Sequence, residues 1–369
     1  DIAMALPAIF RAKRAVIVGD PNQLRHYSFV SRAQQFELQK KFELPKDKIF
    51  DYRNRSILDL YISKVTKQEQ VSFLREHYRS TPSLIEFSNQ KFYDGQLEII
   101  KSTPKHTSHN QIELINVNGF RDKKGVNEIE ALAVIGKLKS IIEQYKNSHR
   151  PPSIGIISPF NSQISYINKL LKDHFELDTL KKYNLLCGTP YTFQGSEREI
   201  VLLSFCVCDK SHPSAFIHAN KPEVLNVAVT RAKSFQYVFK SMPDEFCNKE
   251  SLLFDYFRFI KTFSHVGEQE PEKDEFQKEV VLELEKKNFD EIKCGYPVAG
   301  SLLDILIVHN NQNYFIDLIG YPGIYREAFS IERYKALGRT GIKCLPLHYS
   351  YWKKNKKASI ERIESLIND

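Results

Sequence analysis

AVIVGDPNQL, residues 15–24, changes at Gly19 from a purely apolar run to a polar turn. An apolar strand that stops at such a turn is how a parallel sheet presents polar side chains at the carboxyl ends of its strands, where ligands bind. Working outward, further strand-like runs occur at VSFL (71–74), IELINV (112–117), SIGIIS (153–158), EIVLLSFC (199–206) and QYVF (236–239). Between them lie stretches with apolar residues three and four apart: 81–93, 127–145, 161–175 and 222–233. Pro82 and Pro222 suit first-turn positions of two of these helices. The alternation predicts an α/β fold, a parallel sheet with helices on both faces.

Composition narrows the function classes. The chain has 369 residues, 42% of them hydrophobic and 27% charged, enough for two or three domains with real cores. Its longest strongly apolar run, IVLLSFCVC (200–208), is far too short to span a bilayer, so a cytoplasmic protein with no membrane partner is the default expectation. Six cysteines (187, 206, 208, 247, 294 and 344) form no C-x-x-C pair, which argues against a zinc ribbon or a four-cysteine iron–sulfur site. The net charge of +8 fits a polyanionic partner.

Four short stretches carry residue types suited to phosphate chemistry. GDPNQL (19–24) offers Asp20 and Gln23 to orient a water or sense a terminal phosphate. REHYRSTP (75–82) sets Tyr78, a ring that stacks on a base, beside Arg79, a fork of donors for phosphate oxygens. GTPYTFQGSERE (188–199) supplies the Gly195 backbone, hydroxyls at Thr189 and Thr192, and the polar pair Gln194 and Glu197. LNVAVTRAK (225–233) is expected to mount Arg231 on a helix as a charge-neutralising finger. Taken singly, Arg79 also reads as a surface ion pair, Gly195 as a turn and Arg231 as a solvated helix residue.

Taken together, the order GDxxQL, HYRS, TFQGSE, NVAVTRAK closely resembles motifs III to VI of superfamily 1 helicases, in the 1B branch that includes the RNA-surveillance and Okazaki-flap helicases. IGIISPFNSQISYINKLL (154–171) resembles the segment before motif V in that branch. The resemblance covers about residues 1–260. It implies two RecA-like lobes, use of ATP and Mg²⁺, and 5′ to 3′ movement on single-stranded nucleic acid. It also implies that Gln23 contacts the γ-phosphate and Tyr78 packs by the base. Arg79 and Arg231 would reach phosphates across the cleft, and Asp20, Gly195 and Glu197 would lie near the nucleotide. Thr189 and Thr192 would lie nearer the nucleic-acid track. No GxxxxGK(S/T) phosphate loop occurs in the sequence. The expectation is therefore the C-terminal part of a longer helicase, with 1–66 a remnant of the first lobe and 67–263 the second. The competing class is a non-catalytic nucleic-acid-binding module.

SHVGEQEPEKDE (264–275) has almost no apolar residues, so 264–274 reads as a linker. Beyond it, 275–369 shows Glu279 on a helix, Asp304 near the start of LDILIV and Asp317 on YFIDLIG. That order resembles the restriction-endonuclease-like fold of mismatch-repair-type nucleases, whose clustered carboxylates hold Mg²⁺. The resemblance favours DNA over RNA and raises a Mg²⁺-dependent nuclease as a further alternative. Where active relatives place a second acid, this chain has Ile319, which favours binding over cutting. Tyr321, Tyr325, Arg326, Arg333 and Arg339 would then form either an aromatic and basic face for nucleic acid or simply a solvated helix surface.

Overall fold

The computed structural model describes residues 2–368 apart from 26–27, 45–50, 52, 101–110, 249, 264–273, 299–300, 311, 323–327 and 340. Its first pairing is small: β1 (Glu76–His77) and β2 (Glu98–Ile99) lie parallel. The main sheet follows, with β3 (Ile112–Asn116), β4 (Ile154–Ile157), β5 (Leu186–Gly188), β6 (Arg198–Ser204) and β7 (Ala232–Lys240), all parallel in the order β3-β7-β6-β4-β5.

Successive side chains of β6 point to opposite faces, and both faces are covered, which is why the strand reads as one apolar run. Ile200 and Leu202 pack with Ile154 and Ile156 against the helices Glu128–Gln144 and Asn161–His174. Val201 and Leu203 pack on the other face with Leu84, Leu225 and Leu253, from the helices Pro82–Phe92, Pro222–Val229 and Leu252–Thr262. Pro82 and Pro222 open their helices as expected.

Three local expectations are corrected. AVIV forms no strand: Val16 and Val18 are 88% and 87% exposed, because no described segment pairs with it and an unpaired apolar run has no ladder to join. VSFL is not a strand either, since pairing is delayed to Glu76–His77. The helix holding NVAVTRAK ends at Val229 with Thr230 as its C-cap, so Arg231 stands in the turn before β7, off the helix. The short β5 carried no periodicity to announce it.

A second sheet contains β8 (Glu291–Val298), β9 (Ser301–His309), β10 (Gln312–Ile319) and β11 (Lys343–His348), ordered β11-β10-β9-β8. β8, β9 and β10 pair antiparallel, whereas β10 and β11 pair parallel. Helix Ile331–Arg339 lies between β10 and β11 in the chain. One face packs on helix Glu275–Leu284, on the terminal helix Lys356–Asn368 and on Trp352, from helix Tyr349–Lys354. The opposite face gathers Tyr296, Leu303, Leu306, Phe315 and Leu337 around Ile100, a residue from the far side of the 101–110 segment. Of the expected linker, residues 264–273 lie outside the described residues, and Asp274 caps the helix that follows by accepting from the Gln277 amide. Tyr325 and Arg326 also lie outside them.

Candidate nucleotide cleft

A cleft of about 900 Å³ is lined by Asp20, Gln23, Tyr78, Arg79, Tyr93, Thr230 and Arg231, among others. It brings together side chains from three of the four motif stretches, more than 200 positions apart in the chain. The GDPNQL turn is tied down from both sides. Gln23 Nε2 donates to Asp20 Oδ2 at 2.8 Å, and the Tyr93 hydroxyl donates to the same oxygen at 2.7 Å. Asn226, on the Pro222–Val229 helix, donates to the Tyr93 hydroxyl at 3.1 Å and to the Asn22 carbonyl at 2.8 Å. Gln194 Nε2 reaches the Leu24 carbonyl at 3.0 Å. Leu24 itself packs on Val224 and Val227.

Opposite this turn, Glu197 is bound by two cations, pairing with Arg79 and with Lys233 Nζ. Partial burial favours the neutral acid, yet the hydrogen bond from Lys233 and the charge of Arg79 hold the carboxyl below the usual range. Arg231 is only 2% exposed. Its Nε donates to the Val227 carbonyl at 3.0 Å and its Nη2 to Thr230 Oγ1 at 2.9 Å, so the guanidinium is folded back over the end of the preceding helix. Burial, then the neighbouring Arg79 charge, lowers its pKa to about 10, against the opposing pull of Tyr93, Glu197 and Asp20. Tyr78 stands at the cleft wall, its hydroxyl donating to Glu76 and lying 3.4 Å from Arg339 Nη1.

The remaining site residues fall elsewhere. Thr189 is buried and Thr192 exposed, with their hydroxyls 3.5 Å apart in the turn after β5. Gly195 closes that turn at φ +78°, a conformation that disfavours a side chain. In the second sheet Asp304 and Asp317 meet, but Glu279 turns away to Lys353 Nζ (2.6 Å) and Trp352 Nε1 (3.1 Å). Burial first, then the charge of Asp317, pushes the Asp304 carboxyl well above the ordinary range. Asp304 Oδ2 accepts from the Leu318 amide at 2.6 Å, while Asp317 Oδ2 accepts from the Tyr334 hydroxyl and the Phe329 amide. Among the described residues no group of three or more His, Cys, Asp or Glu is arranged to hold a metal ion. A carboxyl that burial holds toward its neutral form is a poor fit for a divalent cation.

Three side chains of the cleft were not singled out in the sequence: Tyr93, Asn226 and Lys233. Asn226 and Lys233 belong to LNVAVTRAK, where the arginine drew attention because its charge is the obvious phosphate partner. Tyr93 only ends a helical pattern, and nothing local says that its hydroxyl meets Asp20.

These elements define a parallel α/β domain in which motif residues converge on one cleft. Residues 53–242 match the AAA_12 family, described as an AAA domain, and the chain belongs to that family. Its relatives are helicases. DNA polymerase alpha-associated DNA helicase A of Saccharomyces cerevisiae is 26% identical over 202 residues, covering 48% of this chain and 29% of that protein. Helicase sen1 of Schizosaccharomyces pombe is 24% identical over 259 residues, covering 66% and 14%. The uncharacterized ATP-dependent helicase MG140 of Mycoplasma genitalium is 26% identical over 345 residues, covering 86% and 30%. The chain thus spans less than a third of the length of each. A solved C-terminal domain of a possible DNA helicase from a Lactobacillus overlaps with a TM-score of 0.29 at 13% identity, covering 44% of this chain and 86% of that one, an overlap too slight to carry a conclusion. No helix among the described residues is long and apolar enough to cross a membrane.

Proposed function

We propose that this chain supplies second-lobe machinery to an ATP-dependent superfamily 1 helicase that moves along single-stranded nucleic acid, with DNA favoured. The observation that carries the reading is the convergence of Asp20 and Gln23, Tyr78 and Arg79, and Arg231 on one cleft, with Glu197 paired to Arg79. Its cationic side suits a polyphosphate: Arg79 and Lys233 share Glu197 as their counter-ion, and Arg231 lies near enough to feel the charges of Arg79 and Glu197. An incoming phosphate can take over Arg79 from Glu197, since an exposed ion pair is worth little on its own. ATP with Mg²⁺ would supply the phosphoryl group. Gln23 and Asp20 would orient groups at its terminal phosphate, Tyr78 would pack on the base, and Gly195 would leave room for close approach. The buried Arg231 must swing out of its contacts with Val227 and Thr230 to neutralise developing charge. Thr189 and Thr192 would meet the nucleic acid.

ATP hydrolysis tests this. In the full-length protein Arg231→Ala should lower kcat by about 10³-fold or more, as loss of an arginine finger does, while single-strand affinity without nucleotide stays unchanged. Equal loss of both would make Arg231 structural and sink the assignment. The chain by itself, without a GxxxxGK(S/T) loop, should stay below about 1 s⁻¹.

The sheet β8–β11 is proposed as a nucleic-acid-binding unit that no longer cuts. Ile319 stands where an acid is needed, Glu279 is committed to Lys353, and burial holds Asp304 toward its neutral form.

A further inference from the structure

The two strands of the small parallel ladder β1–β2 run out side by side, one into the cleft and the other into the core of the second sheet. β1 runs directly into Tyr78 and Arg79. β2 runs into Ile100, which is fully buried against Tyr296, Leu303, Leu306, Phe315, Leu337 and Ile342 of the trailing unit. The ladder is closed by backbone bonds from the Glu98 amide to the Arg75 carbonyl (2.8 Å) and from the Ile100 amide to the His77 carbonyl (3.0 Å). Helix Ile331–Arg339 then fastens both strands from outside: Arg333 Nη1 lies 3.4 Å from Glu98 Oε2, and Arg339 Nη1 lies 3.4 Å from the Tyr78 hydroxyl.

A two-residue parallel pair cannot hold itself together in water. Its register here is set by what grips it: Asn89 of helix Pro82–Phe92, which exchanges bonds with Leu97 at 2.9 and 3.3 Å just before β2, and the trailing unit on Ile100 and Glu98. We propose that the trailing unit positions the nucleotide cleft, with Ile100 anchoring the ladder and Arg339 holding Tyr78, so that both are positioning residues for an adenine nucleotide. The inference rests on the cleft being a nucleotide site only for the identity of that ligand. Coupling of this kind is reciprocal: a ligand that orders Tyr78 and Arg79 stabilises the trailing core by the same factor.

Hydrogen exchange on the whole chain reads the anchoring without any ligand. In Ile100→Ala the Glu98 and Ile100 amides should exchange at least about tenfold faster, because the buried anchor is lost, while Val201 and Leu202 in the main sheet keep their protection. Ile100→Val should restore most of it. Unchanged exchange at Glu98 and Ile100 in a folded Ile100→Ala chain overturns the proposal. If that variant does not fold, Arg339→Ala and Arg333→Ala together serve the same measurement. Fluorescently labelled ADP (mant-ADP) supplies the second arm. Ile100→Ala and Arg339→Ala should each weaken its binding several-fold, Arg339→Lys should recover much of the loss, and ADP should raise the melting transition seen by Trp352, the one tryptophan of the chain and buried in the trailing core. Wild-type affinity retained in both variants defeats positioning. No binding to the wild type defeats the nucleotide reading instead, and the exchange arm then decides the anchoring alone.

Discussion

Glu130 shows how much one buried charge-bearing group organises around itself. It is fully buried and accepts from Ser204 Oγ at 2.7 Å, the Cys206 amide at 2.8 Å, Asn127 Nδ2 at 3.2 Å and the Ser241 hydroxyl. Burial raises its pKa, opposed by the bonds from Ser241 and Ser204. Glu130→Ala would leave four buried donors without this acceptor, each costing roughly 1–3 kcal/mol if unsatisfied. The expected loss is therefore about 3 kcal/mol or more, read as a lowered denaturant midpoint with the slope unchanged. A loss below about 1 kcal/mol would mean that water replaces the carboxylate. Asp304 makes a prediction of opposite character. Its folded pKa is raised by burial and by Asp317, whereas an unfolded aspartate titrates near 3.9. Between those values the folded chain keeps a proton that the unfolded chain has released, so stability falls as pH rises through that window. Asp304→Asn should flatten the fall in the Trp352-detected transition between about pH 4 and 8. An undiminished slope would remove Asp304 as its source.

Among the elements, the turn after β5 is tightly constrained. A Cβ on Gly188 would stand 2.6 Å from Thr192 Cβ, and one on Gly155 in β4 would stand 2.9 Å from the Phe193 ring. The turn is thus pressed onto the strand beneath it, with the exposed Thr192 held in one place. Gly188→Ala should displace Thr192. If Thr189 and Thr192 lie on the nucleic-acid track, single-strand affinity should drop about fivefold, the worth of one hydrogen bond, and mant-ADP affinity should not. Anisotropy of a labelled oligonucleotide checks this, and unchanged binding would take the turn off the track. The helix Pro222–Val229 illustrates a different constraint. It ends one residue before Arg231 can join it, because Thr230 caps it by bonding back to Asn226. The arginine is left in a turn, its guanidinium folded back onto the Val227 carbonyl.

At the scale of the whole molecule, charge and the two sheets decide what can be measured. With a net charge of +8, single-strand binding should weaken steeply and linearly on logarithmic axes as salt rises from about 50 to 300 mM, as counterion release requires. Flat binding over that range would argue against a phosphate-tracking groove. The trailing unit should cleave neither single-stranded, double-stranded nor forked DNA with Mg²⁺ or Mn²⁺. Cutting abolished by both Asp304→Ala and Asp317→Ala would show a live site and overturn that expectation.

The sequence by itself determined the alternation of strands and helices, since β4, β6 and the QYVF stretch of β7 are strand-like runs bounded by polar turns, and periodicity is a local property. It also determined the residue types of the cleft, because Asp20, Gln23, Tyr78, Arg79, Glu197 and Arg231 sit in short motifs whose order is visible along the chain. It could not determine that AVIV would lie exposed, because a strand exists only where a neighbour pairs with it. Nor could it show Tyr93 on Asp20, the two cations on Glu197, or Glu279 drawn away from Asp304 to Lys353. Each of these depends on side chains brought together across long separations in sequence. Ile100 makes the same point most plainly: one isoleucine beside a short strand is unremarkable in sequence, and only the tertiary structure decided that it belongs to the core of another sheet, because burial is a property of what surrounds a residue.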